Sequence, residues 1–153
     1  MSQIMVMLES ITFGAHYFKT AILLRESMLV SALLFNAEVW YSVTKTQLQQ
    51  LQEVDTLLLK RVLNCPFSSP GPAIFLELGV MPLAQILMGR RVNYLHYLLS
   101  LNKKEMLSQF FWAQWRNPFK HYWTETIKTD LHRLNIDLSL EKISEIKLLL
   151  IEL

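Results

Sequence analysis

Apolar residues recur at three- and four-residue intervals along most of this chain, and no segment alternates apolar and polar positions between turn signals as a strand would. From His16 to about Tyr41 there is neither Gly nor Pro. Within that stretch Phe18, Ile22, Leu29 and Leu33 form one row, and Ala21, Leu24, Met28, Ala32, Phe35 and Val39 a second. The pattern predicts one long helix that is apolar on two adjacent faces, the kind that is buried in an assembly rather than laid on a surface. Arg25, Glu26 and Glu38 are the few charged interruptions, and Arg25 and Glu26 read as exposed or paired groups.

Thr44 followed three residues later by Gln47 fits a capping box, in which each side chain satisfies the other residue's free backbone N–H. A second helix is predicted from there, with Leu48, Leu51, Val54, Leu58 and Val62 inward and Asp55 near the edge of the stripe. Its apolar face should pack on the preceding helix as an antiparallel pair. Asn64-Cys65-Pro66 stops it, because proline has no N–H and disfavours helical geometry in the residue before it. After a loop through Ser68, Ser69, Pro70 and Gly71, Pro72 starts a short helix, and Gly79 suits the left-handed position after its end. A third long helix is expected from Leu83 to about Leu101, although Gly89 inside it costs about 1 kcal/mol relative to alanine. Lys103-Lys104-Glu105 opens a helix to about Arg116, closed by Asn117-Pro118. Another runs from Trp123 to Leu134, and Ser139 caps a last one ending in the apolar Leu148-Leu149-Leu150-Ile151. The fold class that follows is all-α, an irregular bundle of about six or seven helices in a single helical domain over residues 1–153.

With 52% hydrophobic and 18% charged residues and only four glycines, the chain is far from the composition that stays disordered. The single Cys65 has no partner for an internal disulfide, and no Cys/His spacing matches a zinc site, so a reducing, intracellular compartment is expected, nucleus or cytoplasm. The longest uncharged run, Val62 to Leu76, contains three prolines, and the proline-free run from Ser27 to Ala37 is shorter still. Neither can span a membrane.

Net charge becomes informative when it is divided along the chain. Met1 to Leu59 holds three basic and five acidic side chains, Lys60 to Arg133 ten and four, and Leu134 to Leu153 two and four. Clustered positive charge attracts phosphate backbones through counterion release. The candidate nucleic-acid contacts are the basic pairs Lys60-Arg61, Arg90-Arg91 and Lys103-Lys104, with Arg116 and Lys120. Such contacts position a strand without reading its sequence. The strongest local cluster is Phe110, Phe111, Trp112, Trp115, Phe119, Tyr122 and Trp123, interleaved with Arg116, Lys120 and His121. Aromatic faces stack on unpaired bases, and they also build ordinary cores; the composition leaves both readings open. No Asp-Asp pair of the kind that holds polymerase metal ions occurs, there is no glycine-rich phosphate loop, and the four histidines are not spaced as ligands. No catalytic residue, metal site or cofactor is assigned.

Four segments carry a more specific signal: Leu23-Leu24-Arg25-Glu26-Ser27-Met28-Leu29, Asn36-Ala37-Glu38-Val39-Trp40-Tyr41, Leu76-Glu77-Leu78-Gly79, and Arg90-Arg91-Val92-Asn93-Tyr94-Leu95-His96-Tyr97. In that order and spacing they resemble the helical region that follows the polymerase core in reverse transcriptases of non-LTR retrotransposons. The resemblance runs from about Ile11 to about Ile143, with looser matches at Asn117-Pro118 and Trp123-Thr124. It departs from the family at Gly71-Pro72, where a Lys-Glu-type pair is usual. The resemblance implies a fragment of a larger polyprotein, at or beside the thumb. Its partners would be RNA or an RNA-DNA duplex and an upstream polymerase domain that holds the catalytic aspartates. The alternatives are a helical protein-protein interaction module and a degenerate element remnant without activity.

Overall fold

The structure, a computed structural model, describes residues 15–41, 43–117 and 123–135. The expected Ser139 helix, the apolar Leu148–Ile151 and the candidates Phe119, Lys120 and Tyr122 lie outside the described residues. Those described form six helices with no strand among them. Helix α1 is made of three consecutive stretches: Ala15–Leu24, a π-helical Arg25–Val30, and Ser31–Leu33. A 3-10 turn follows at Ala37–Val39. Then come α2 (Lys45–Val62), α3 (Gly71–Leu78), α4 (Leu83–Ser100), α5 (Met106–Arg116) and α6 (Trp123–Arg133).

The first helix departs from its expected course in two ways. Its buried residues are Tyr17, Ala21, Arg25 and Leu29 at intervals of four, and then Val30, with Leu34 buried just past its end. The π turn adds a residue to the repeat, so Arg25 and Val30, five apart, both face inward. Ser27 Oγ donates to the Leu23 carbonyl at 2.7 Å and Ser31 Oγ to the Glu26 carbonyl at 3.1 Å. The second departure is that the helix ends at Leu33 rather than near Tyr41. Asn36 takes the left-handed conformation at φ 50°, which Asn tolerates better than other residues with a Cβ, and Trp40 is already extended. Phe35, assigned to an apolar row, is 70% exposed.

Other boundaries fall where local chemistry places them. The capping box is complete: Gln47 N–H donates to Thr44 Oγ1 at 3.2 Å and Thr44 N–H to Gln47 Oε1 at 3.0 Å. At the far end of α2, Asn64 adopts φ 49°. The amides of Asn64 and Cys65 donate to the Arg61 and Lys60 carbonyls at 3.0 Å each. Helix α3 ends in the same motif, with Gly79 at φ 62° and the amides of Gly79 and Val80 on the Leu76 and Phe75 carbonyls. Each closes orphan carbonyls through one left-handed residue. Helix α4 continues through Gly89 without a break.

The described residues fall into two compact units, one within Met1–Phe35 and Thr44–Ile86 and one within Asn36–Val43 and Leu87–Leu153. In the first, Tyr17, Ala21 and Leu29 of α1 pack with Leu58 and Val62 of α2, so these two helices are in contact as expected. Leu59, Ile74, Phe75 and Val80 join α2 to α3. In the second, Val92, Leu95 and Leu98 of α4 close around Phe111 and Trp115 of α5 and Ile127 and Leu131 of α6. Each fully buried aliphatic side chain contributes about 1.5–3 kcal/mol.

Candidate nucleic-acid interface

In the first unit the candidate cations sit in the last turn of α2, where Lys and Arg complement the negative end of the helix dipole. Lys60 is half-buried and its Nζ donates to the Phe67 carbonyl, tying the loop that leads to α3 back onto the helix. Arg61 is exposed.

The second unit holds the remaining described candidates, and the two arginines of the Arg90-Arg91 pair do not share one environment. Arg90 is half-buried. Arg91 is 6% exposed, and its Nη1 donates to Asp130 Oδ2 of α6 at 3.0 Å. Arg133 reaches the other oxygen of the same carboxylate at 3.8 Å. Arg91 was a candidate for phosphate contact; it is instead an internal cation, committed to joining α4 to α6. A residue 39 positions away supplies its counter-charge.

Lys103 and Lys104 are exposed on a turn held by backbone groups and by the side chains of Asn102 and Glu105. Asn102 Oδ1 accepts from the Lys104 amide at 3.1 Å, and the Glu105 amide donates to the Asn102 carbonyl at 2.9 Å. Glu105 folds back, its Oε1 accepting from the Asn102 amide at 3.3 Å. Arg116 is exposed in the last turn of α5.

Helix α5 itself separates the two readings of the aromatic cluster. Ser108, Phe111 and Trp115 form its buried side. Phe111 and Trp115 lie 5.5 Å apart between ring centroids, and Trp112 and Trp123 are partly buried against the same core. Lys128 caps Trp115, with Nζ 5.0 Å from the ring centroid. Trp123 is further fixed by its indole N–H, which donates to the Glu38 carbonyl at 2.6 Å. These rings are core. Phe110 is different: it is 58% exposed, on a face with Met106 at 73% and the exposed Ala113. Between Met106 and Arg116 there is no acidic residue. The outer side of α5 is therefore an aromatic ring on an apolar strip, with Lys103 and Lys104 before it and Arg116 at its end.

Tyr94 stacks on Tyr97 with centroids 6.0 Å apart and meets Trp123 edge-on. Burial pushes the Tyr94 phenol above its usual range, with smaller upward contributions from Tyr97 and Glu38, so it stays protonated at neutral pH.

Sequence reasoning missed Asp130 as the partner of Arg91 and Lys128 as the cover of Trp115. Neither had a local signal, since the partners lie 39 and 13 residues apart on different helices. Among the described residues no group of three or more His, Cys, Asp or Glu side chains could hold a metal ion. No single helix among them is long and apolar enough to cross a membrane. No protein-family model, curated protein or solved structure matches the chain.

Proposed function

We propose that this chain is a non-catalytic helical domain that binds nucleic acid, acting within a retroelement reverse transcriptase to hold template RNA or primer-template. The observation that carries the reading is the outer side of α5, where exposed Lys103, Lys104 and Arg116 bracket a strip without acidic residues. Exposed cations on a fixed turn and a helix end suit phosphate contact, which supplies affinity without sequence preference. The four segments that resemble the retroelement region add the parent protein. Within those segments Arg25 lies in a buried ion pair, Gly79 sits at positive φ, and Arg91 is held on Asp130.

The test is titration of the purified chain with a labelled single-stranded RNA and a labelled RNA-DNA duplex over a range of salt concentrations. Binding whose affinity falls steeply with salt is expected for at least one of them. Undetectable or salt-independent binding to both removes the reading.

A second reading, docking to another protein, is favoured by a different observation in the first unit. A groove of about 590 Å³ is lined by Gln52 and Thr56 of α2, Pro72, Phe75 and Leu76 of α3, and Met81. Leu76 is 83% exposed and Met81 64%. If this face is the functional one, Leu76→Asp abolishes association with the partner, while Lys60→Glu and Arg61→Glu leave it intact.

A further inference from the structure

Cations that contact phosphates serve paired and unpaired strands alike, whereas an exposed aromatic ring distinguishes the two. An α-helix of the length of α5 spans about 15 Å from Met106 to Arg116. Met106, Phe110 and Ala113 follow each other at intervals of four and three, so they share one face, opposite Ser108, Phe111 and Trp115. Its three neighbouring aromatics, Phe111, Trp112 and Trp115, are buried or packed on the core, whereas Phe110 leaves more than half of its surface in water. Leaving an apolar ring in water is unfavourable, and covering it recovers that free energy.

Charge selects what covers it. Between Met106 and Arg116 the strip carries no acidic side chain of its own and is bracketed by cations at both ends; Glu105, which precedes it, is turned back onto the Asn102 amide. A polyanion with flat apolar faces complements this arrangement. In a duplex the base faces are occupied by neighbouring base pairs, so a ring on a convex helix surface has nothing to stack on. In an unpaired strand every base offers a face, and cations can follow the phosphates on either side.

We propose that the outer face of α5 is a platform for an unpaired nucleic-acid strand, on which Phe110 stacks against a base while Lys103, Lys104 and Arg116 hold the flanking phosphates. This rests on the nucleic-acid reading above and specifies the strand state and the residue that recognises it. A stacking contact of this kind is sequence-tolerant, so little preference among bases is expected.

The experiment uses the full chain and its Phe110→Ala and Phe110→Trp variants, titrated with a labelled oligouridine and with an RNA-DNA duplex. Circular dichroism of each variant confirms that the fold is retained, which the exposure of Phe110 favours. Phe110→Ala should weaken oligouridine binding about five- to a hundredfold, the range of one lost base stack. Phe110→Trp should retain or strengthen it, and duplex affinity should be the same for all three. Equal oligouridine affinity for the wild type and Phe110→Ala overturns the platform while leaving the nucleic-acid reading standing, provided the wild type binds. Equal weakening toward strand and duplex also overturns it. If the wild type binds neither probe, both proposals fail together. A change confined to self-association, measured by light scattering, would assign the face to protein docking instead.

Discussion

Arg25 and Asp55, thirty residues apart in the chain, meet in a two-point ion pair: Nε donates to Oδ1 at 2.7 Å and Nη2 to Oδ2 at 2.6 Å. Both side chains are buried, and the same Nη2 also donates to the Met81 carbonyl at 2.8 Å. One guanidinium thus ties α1, α2 and the segment leading into α4. The aspartate receives a weaker contact from Gln52 Nε2 at 3.5 Å, while Gln52 Oε1 accepts from the Leu83 amide at 2.9 Å, at the start of α4. Arg25 is thereby removed from any direct role in ligand contact and becomes a folding residue.

Breaking this pair from one side leaves a buried charge without a partner. Asp55→Ala should lose about 3–5 kcal/mol in urea unfolding, while the double variant Arg25→Met/Asp55→Leu should recover most of that loss. A single variant that unfolds at the wild-type midpoint would mean that the pair contributes nothing.

Two glycines should respond to alanine with opposite signs. Gly79 sits at φ 62°, and an added Cβ there meets nothing within 4 Å, so the cost of Gly79→Ala is backbone strain alone, about 1–2 kcal/mol. Gly89 is exposed inside α4 with equally open space, so Gly89→Ala should stabilise by about 0.5–1 kcal/mol. Thermal melts of the two variants displaced in opposite directions are the expected result.

Thr124 Oγ1 is buried with no hydrogen-bond partner among the described residues, and Thr124 is 1% exposed. A hydroxyl without a partner in such a place loses its hydration and gains nothing in return. Thr124→Val should therefore be neutral or stabilising by about 1 kcal/mol, read from the urea midpoint at constant slope.

The candidate cations should separate into two kinds. Lys103→Gln, Lys104→Gln and Arg116→Gln should each lower the slope of log affinity against log salt for single strands by about 0.7 without affecting stability. Arg91→Gln should leave that slope unchanged and destabilise the fold by about 3 kcal/mol, because Asp130 loses its close partner. A reduced salt slope for Arg91→Gln would contradict its assignment as an internal cation.

The predicted boundaries that hold are those governed by backbone groups a few residues away. Thr44 and Gln47 announce the start of α2, Asn64-Cys65-Pro66 its end, and Pro72 with Gly79 both ends of α3. The first helix departs from its spacing pattern because a π turn shifts its phase. Fixed three- and four-residue spacing cannot place Arg25 and Val30 on one side, and it places Ala32 and Phe35 in an apolar row although both are exposed. The division into two compact units had no local signal either, since α4 runs through the boundary at Leu87 without interruption.

For the candidate site, the sequence by itself determined the all-α class, where the helices lie and which residue types are available: basic pairs, a cluster of aromatic rings, and no paired aspartates. Only the tertiary structure decided which of them face water. Lys103 and Arg91 look alike as members of basic pairs, yet one is exposed and the other is held against Asp130; Phe110 and Phe111 are adjacent, yet one is in solvent and the other in the core. Exposure is set by distant partners arriving over each side chain, and a helix turning 100° per residue sends neighbours to opposite fates.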